Sequence, residues 1–113
     1  MAYNKFMKFI ETRIFTRLVL ELLTDDEYRA IQLNMAERPE QGPIINGSGG
    51  LRKIRIAAKG KGKRGGARII YYWVPALARI YLLLVYPKNK QDDLNTEEMA
   101  LLKAMMEREL GHG

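Results

Sequence analysis

The sequence has no cysteine, which removes several kinds of chemistry at once. A chain of 113 residues without cysteine forms no disulfide, binds no metal through thiolates and has no cysteine nucleophile. The only histidine is His112, close to the carboxyl terminus, where chains are seldom ordered enough for acid–base catalysis. We therefore expect no cofactor and no metal site, so any catalysis must depend on lysine, arginine and tyrosine.

The sequence also lacks a long hydrophobic run. Its longest apolar stretch, residues 80–86, is far shorter than the roughly 20 residues that a membrane helix requires. The first twenty residues mix charged and apolar side chains, so they contain no uninterrupted apolar core of a signal peptide. We predict a soluble, cytoplasmic protein with no membrane partner, and the length suits a single domain over residues 1–113.

Acidic residues are missing from the middle of the chain. Residues 41–91 contain eleven lysines and arginines and no aspartate or glutamate, whereas residues 1–40 have a net charge of −1 and residues 92–113 one of −4. A block of one sign attracts polyanions, because neutralised phosphates release condensed counterions. This block predicts a nucleic-acid-binding surface, and a basic face kept only for solubility is the alternative.

Hydrophobic periodicity predicts an α+β domain. Residues 5–11 alternate as a strand does, and apolar residues then recur at helical spacing up to Leu22. Thr24 and Glu27 form a capping box for a second helix, which ends before Pro39. Further strands are predicted at residues 51–58, 67–74 and 79–86, and a last helix is predicted after the cap at residues 95–98.

The order of these elements predicts how they pack. We expect an antiparallel sheet of three to four strands, with two N-terminal helices and one C-terminal helix on one face and the other face left for function. Residues 79–86 are apolar on both faces, which suits a central strand covered, at least in part, on both sides.

Two local patterns are interpreted structurally. The basic loop KGKGKRGG contains Gly60, Gly62 and Gly65 at the spacing of a dinucleotide-binding motif, but a strand rather than a helix follows it. We interpret it as a flexible cationic loop that can approach a phosphate backbone. An acidic cluster is interpreted as turn-forming and helix N-terminal residues rather than as a metal site. The cluster comprises Asp92, Asp93, Glu97 and Glu98.

Lys53, Arg55 and Arg68 are the candidate catalytic residues. Lys53 and Arg55 share one face of their strand and Arg68 begins the neighbouring strand, so the three side chains can converge on one phosphate. RNA supplies its own nucleophile, the ribose 2′-hydroxyl. Arginine suits the charge of a phosphorane, and a lysine crowded by other cations can act as a base. A phosphate-positioning patch without catalysis is the alternative.

Two stretches of the sequence resemble a known family. GSGGLRKIRIAAKGKGKRGGARIIYYWV and YLLLVYPKNKQDDLNTEE are similar to the RelE superfamily of bacterial toxins, especially its HigB-type members. The resemblance covers essentially the whole chain and is most specific at residues 47–97. It implies a compact sheet with helices on one side and a ribosome-dependent endoribonuclease that cuts mRNA in the A site of the 70S ribosome, in contact with rRNA. It also implies a cognate antitoxin, expected to be a helix-turn-helix protein like HigA.

The resemblance also assigns roles to individual residues. The family's paired basic positions match Lys53 and Arg55, and its phosphate-holding arginine matches Arg68. Some RelE toxins have a tyrosine where this chain has Leu94 and Asn95, so Tyr86 and Tyr72 are candidate substitutes and acid and base are not assigned individually. The expected RNA- or ribosome-binding residues are Lys59, Lys61, Lys63, Arg64, Lys88, Lys90 and Tyr86.

Two other functions fit parts of the sequence. A ParE-like toxin shares the fold and inhibits DNA gyrase without cutting RNA, but a protein that only blocks another protein has no need of convergent cations. A plain nucleic-acid-binding domain would carry aromatic base-stacking motifs or a recognition helix, which this sequence lacks. We therefore expect the toxin of a type II toxin–antitoxin system, acting as a metal-independent endoribonuclease.

Overall fold

The computed structural model describes residues 6–58 and 66–111, which form an α+β domain as predicted. In chain order the elements are β1 (Lys8–Glu11), α1 (Arg13–Leu22), α2 (Asp25–Glu37), β2 (Arg52–Ile56), β3 (Ala67–Val74), a short 3-10 helix (Pro75–Leu77), β4 (Arg79–Pro87) and α3 (Thr96–Glu109). Within the described residues, no helix is both long enough and apolar enough to cross a bilayer.

Two of the helices begin at capping boxes, as the sequence predicts. The Thr24 hydroxyl accepts the backbone N–H of Glu27, and the Glu27 carboxylate accepts the backbone N–H of Thr24. Asn95 and Glu98 make the same reciprocal pair at the start of α3. Each cap satisfies N–H groups that the helix leaves unpaired, which typically stabilises a helix by about 1 kcal/mol. The starts of α2 and α3 are therefore fixed locally.

The four strands form one mixed sheet in the order β1-β4-β3-β2. The pairs β2–β3 and β3–β4 are antiparallel, as expected, but β1 lies parallel to β4 at the other edge. The alternation of apolar and polar side chains in a four-residue edge strand is the same in either strand direction. The sequence of β1 therefore does not determine whether it lies parallel or antiparallel to its neighbour. The long path through α1 and α2 allows either direction.

Both faces of the sheet carry a hydrophobic core. On one face, residues of α1 and α2 such as Phe15 and Met35 pack against alternate strand residues, including Ile69 and Leu82. On the opposite face, α3 places Leu102 and Met106 against the intervening positions, including Ile70 and Leu83. The sequence predicts that all three helices pack on one face of the sheet, but α3 packs on the face opposite α1 and α2. The physical reason is that β4 is apolar on both faces, so both need cover.

An irregularity in the sheet increases the apolar area under α3. Ile70 pairs with Leu84 and Tyr71 pairs with Leu82, so Leu83 is an extra residue in β4. Such a bulge shifts the alternation by one position. Both Leu83 and Leu84 consequently pack in the core on the α3 side. The strand ends beyond this core carry the basic residues of the candidate site.

Candidate functional site

Strand pairing brings the three predicted catalytic residues together. Arg55 in β2 lies directly opposite Arg68 in β3. Directly opposed residues share one face, with Cβ atoms about 5 Å apart, and Lys53 is on the same face because it lies two residues before Arg55. This face is the one that α3 covers in part, since Ile70 pairs with Lys53. The structure places the three residues on one sheet face, while their convergence on one phosphate and their catalytic roles stay predictions.

A fourth basic residue of β2 has a different role. Arg52 lies on the opposite face, where its Nη1 donates hydrogen bonds to the carbonyl oxygens of Glu40 at 2.9 Å and Gly42 at 2.8 Å. Its guanidinium carbon lies 5.9 Å from the centre of the Trp73 ring. Arg52 therefore holds the connection between α2 and β2 and is not part of the basic cluster.

Arg68 is buried and already paired within the chain. Only 5% of its surface is exposed. Its Nη2 lies 2.8 Å from the Asp92 Oδ1 atom, and its Nε donates to the same oxygen at 3.0 Å. Its Nη1 faces the carbonyl oxygen of Ala67 at 3.3 Å. In this arrangement the Asp92 carboxylate occupies the position where an anionic ligand of Arg68 would bind.

Lys53 is paired in the same way by the next residue of the chain. Its ammonium forms an ion pair with the Asp93 carboxylate and donates to the backbone carbonyl of Asp92 at 3.3 Å. The Tyr86 hydroxyl donates to that carbonyl as well, also at 3.3 Å. Asp92 thus binds Arg68 through its side chain and both Lys53 and Tyr86 through its backbone. The connection between β4 and α3 crosses the basic cluster at this point.

Arg55 is the accessible cation of the cluster. Its side chain is exposed, and no acidic side chain within residues 6–58 or 66–111 forms an ion pair with it. It lines an open groove of about 320 Å³ together with Lys53 and the turn at Gly42 and Pro43. Of the three residues of the cluster, Arg55 is therefore the one most accessible from solvent.

Tyr86 is a buried phenol beside Arg68 that donates a hydrogen bond to the Asp92 carbonyl. It lies across from Arg68 in β4, and only 5% of its surface is exposed. Burial, followed by the negative charge of Asp93, raises the pKa of Tyr86 to about 12. The phenol therefore keeps its proton at neutral pH. In this arrangement its ring is also too buried to stack on a base.

The remaining predicted binding residues lie around the cluster or outside the described part. Lys88 and Lys90 are exposed in the turn after β4, and the backbone N–H of Lys88 donates to the Gly66 carbonyl at 3.1 Å. This bond ties the turn to the base of the β2–β3 hairpin. The loop residues Lys59, Lys61, Lys63 and Arg64 lie outside the described residues. Tyr72 is four residues along β3 from Arg68, about 13 Å away, and is not part of the cluster.

Sequence reasoning missed the two aspartates of the site. The hydrogen bond from Arg68 is the main cause that lowers the pKa of Asp92, and the charges of Lys53 and Arg55 act in the same direction. The sequence pattern indicates only turn-forming and helix N-terminal roles for Asp92 and Asp93. The available signal was their position, because they are the first acids after a block of eleven cations. Acids that follow such a block can neutralise it when the chain folds back.

Comparisons with known proteins agree with this fold. A family model described as the RelE toxin of the RelE/RelB toxin–antitoxin system matches residues 7–111. A solved structure of the Escherichia coli toxin RelE, a double arginine-to-alanine mutant in the free state, superposes with a TM-score of 0.55. That match has 14% sequence identity and covers 81% of this chain and 90% of the E. coli chain, so it supports the fold. Because the family match spans almost the whole chain, this protein belongs to the RelE toxin family.

Proposed function

We propose that this toxin is a ribosome-dependent endoribonuclease of the HigB type, which cleaves translated mRNA by attack of a ribose 2′-hydroxyl on the adjacent phosphate. The observation that carries the proposal is the convergence of Lys53, Arg55 and Arg68 on one sheet face. Cations on neighbouring strands can offset the negative charge of a pentavalent phosphorane. Preorganised charges of this kind are the main means by which a protein stabilises such a transition state.

The proposed cleavage of RNA requires few groups besides these basic residues. The 2′-oxygen forms a bond to phosphorus, the bond to the 5′-oxygen breaks, and the products are a 2′,3′-cyclic phosphate and a 5′-hydroxyl. The proton lost by the 2′-hydroxyl and the one gained by the 5′-oxygen must both be handled at the site. We assign the phosphorane charge to Arg55 and Arg68, and we propose Lys53 and Tyr86 as the groups that handle protons.

We propose that cleavage needs no metal held by the protein. The support is the donor set, since the described residues contain no group of three or more histidines, aspartates or glutamates that could hold a metal ion. The cations of the chain take the place that a divalent ion has in two-metal nucleases. Elemental analysis of the purified toxin should accordingly show no stoichiometric zinc, manganese or nickel.

The exposed lysines around the cluster suit a ribosomal location. We propose that Lys88, Lys90 and the loop residues bind phosphates of rRNA and mRNA in the A site, where they position the message without reading its sequence. We further propose a helix-turn-helix antitoxin similar to HigA as the partner that silences the toxin in the cytoplasm. These loop residues are Lys59, Lys61, Lys63 and Arg64.

The test compares two exposed arginines. Arg55→Gln removes the accessible cation of the cluster, and Arg29→Gln removes an exposed cation of α2 as a matched control. We expect Arg55→Gln to slow message cleavage by a factor of about 10²–10³, the usual effect of losing one group that stabilises transition-state charge. The melting temperature should not change, because Arg55 is exposed. Arg29→Gln should behave as the unchanged protein. Arg68 is less suitable because it is buried, so its replacement also disturbs packing.

The assay is cleavage of a defined message in a translation extract, with the new 5′ ends mapped. Near-normal cleavage by a folded Arg55→Gln protein would remove Arg55 from the site. An intact message together with gyrase-linked DNA breaks in cells expressing the protein would instead identify a ParE-like activity.

A further inference from the structure

Two carboxylates of the chain cover the cations that are proposed to bind RNA. Asp92 and Asp93 lie on the connection between β4 and α3, with side chains 55% and 74% exposed. Their partners lie beneath them, since the side chains of Arg68 and Lys53 are only 6% and 16% exposed. A ligand that approaches Arg68 from solvent therefore meets a carboxylate before it meets the guanidinium.

We propose that Asp92 and Asp93 occupy two phosphate-binding positions in the free protein, and that RNA binds Arg68 and Lys53 only after displacing them. This inference rests on the proposed function, because it takes RNA phosphates as the ligands of the cluster. It assigns the β4–α3 connection a role as a self-blocking segment. Phosphate and carboxylate compete for one set of donors.

The chemistry of the contacts supports this substitution. A guanidinium binds carboxylates and phosphates through the same N–H donors. The Arg68 Nε and Nη2 atoms both point at one Asp92 oxygen, at 3.0 and 2.8 Å. An ammonium likewise binds either group as a point charge. Each basic residue is therefore already arranged for an anionic oxygen, and the chain itself supplies that oxygen.

The exposure of the two acids indicates that they can leave. The Asp92 carboxylate is already more than half exposed, so it becomes fully hydrated after a small movement, whereas Arg68 is buried among its neighbours. The segment between Pro87 and Asn95 contains neither helix nor strand, so its movement breaks no helix or ladder hydrogen bonds. Apart from the ion pair between Lys53 and Asp93, its contacts with Lys53 and Tyr86 are single hydrogen bonds of 3.3 Å to the Asp92 carbonyl. The fold around the cluster can stay in place while this segment moves.

A fixed positioning role for Asp92 would predict the opposite result. If Asp92 served to orient the Arg68 guanidinium for RNA, removing its charge would weaken RNA binding. If Asp92 competes with RNA, removing its charge strengthens binding. The sign of the change in affinity therefore decides between the two roles.

The experiment measures RNA binding without ribosomes. The double variant Asp92→Asn/Asp93→Asn removes both acids, and Asp25→Asn/Asp26→Asn removes two exposed acids of α2 as a control with the same change in net charge. The probe is a short fluorescent 2′-O-methyl oligoribonucleotide, which cannot be cleaved, and binding is followed by anisotropy over a range of salt concentrations. Melting curves verify that both variants are folded.

We expect the Asp92→Asn/Asp93→Asn protein to bind the oligonucleotide about 5–10-fold more tightly at low salt, with a salt slope steeper by about 1.4, as two added single-strand phosphate contacts predict. The control should change affinity less than about twofold, because neither of its acids forms an ion pair with Lys53 or Arg68. Equal tightening in both variants would show a general charge effect and overturn the proposal. Weaker binding by the Asp92→Asn/Asp93→Asn protein would show a positioning role and also overturn it.

The same design separates this proposal from the nuclease proposal, because binding of the 2′-O-methyl probe requires no cleavage. Tighter binding with no message cleavage on ribosomes would keep the self-blocking segment and reject the nuclease. If the double variant does not fold, Asp93→Asn alone tests the Lys53 position, because Asp93 is exposed and its loss leaves Arg68 and Asp92 paired. Unchanged affinity of that single variant would then overturn the proposal.

Discussion

At the residue scale, Arg55 and Arg68 show how neighbours of the same chemistry acquire different roles. They lie opposite each other on β2 and β3, yet Arg55 is exposed while Arg68 is enclosed and paired with Asp92. A buried charge must keep a partner, so Arg68 needs an anion beside it. Arg68 is therefore both a structural residue, paired with Asp92, and a candidate phosphate-binding residue. Arg55 has no such constraint. Substitutions at Arg55 therefore test function more cleanly.

The ion pair of Asp92 predicts a change in stability at acid pH. The hydrogen bond from Arg68 lowers the pKa of Asp92 from its usual 3.8. A carboxyl with a lowered folded-state pKa contributes stability that is fully present above its unfolded pKa and is lost as pH falls through the folded value. The unchanged protein should therefore exceed Asp92→Asn in urea midpoint near pH 6, and this advantage should shrink below about pH 3.8.

The measurement is the urea midpoint at several values from pH 6 to about pH 2. Asp26→Asn is the control, because Asp26 is an exposed acid of the first turn of α2 with no ion pair to the described residues. A difference between the unchanged protein and Asp92→Asn that stays constant over this range would show that the pair with Arg68 contributes nothing to folding.

At the element scale, the base of the β2–β3 hairpin depends on one glycine. Gly66 has a positive φ of 76°, and a Cβ atom added there would lie 2.2 Å from the Ile56 carbonyl oxygen. Gly47 has the same φ, but a Cβ atom there would meet nothing within 4 Å. The two positions therefore share the backbone strain of a left-handed residue and differ only in the steric contact.

Replacing each of these two glycines by alanine should separate the cost of backbone strain from the cost of the steric contact. We expect Gly47→Ala to lower the free energy of unfolding by about 1 kcal/mol, which is the cost of the left-handed backbone alone. Gly66→Ala should cost about 2 kcal/mol more, because the two strands must move apart to admit the methyl group. It should also slow message cleavage, since Arg55 and Arg68 lie next to this end of the hairpin. Equal urea midpoints for the two variants would contradict this account.

The elements differ in how far the sequence determined them. Residues 67–74 were predicted as a strand with the bounds that β3 has, because their β-branched and aromatic composition lies between a glycine-rich loop and a proline. The caps at Thr24 and Asn95 were predicted because capping is a contact between residues three apart. The direction of β1, the face covered by α3 and the pairing of Asp92 with Arg68 were not predicted. Each depends on contacts between distant residues, which a local pattern does not encode.

At the scale of the whole molecule, the charge blocks of the sequence do not become separate surfaces. The basic middle of the chain forms β2, β3 and β4, and the acid-rich C-terminal segment then returns across it at Asp92 and Asp93. The cationic field is therefore partly neutralised over the cluster. Arg55 at the outer side of the cluster and Lys88 and Lys90 beside it stay exposed. The surface available to a partner is therefore positively charged at its rim, whereas at its centre Asp92 and Asp93 neutralise the positive charges.

The antitoxin should exploit this cationic rim. An acidic or amphipathic segment of the antitoxin that covers the cluster, or docks beside it, would be steered by the positive field of these side chains. Exposed charges are screened beyond about 8 Å at physiological ionic strength, so steering makes the association rate fall as salt increases. We therefore expect association to slow by at least about tenfold between low and high salt.

Two sets of charge-neutralised variants locate the effect. Four loop cations and four exposed arginines outside the basic block are each changed to glutamine, so both variants lose the same charge. The first set is Lys59, Lys61, Lys63 and Arg64, and the second is Arg13, Arg17, Arg29 and Arg38. The loop set should slow association and weaken its salt dependence, while the second set should have a smaller effect. A flat salt profile, with antitoxin affinity unchanged in the loop set, would show that the antitoxin binds the apolar helices and that the basic surface serves RNA alone.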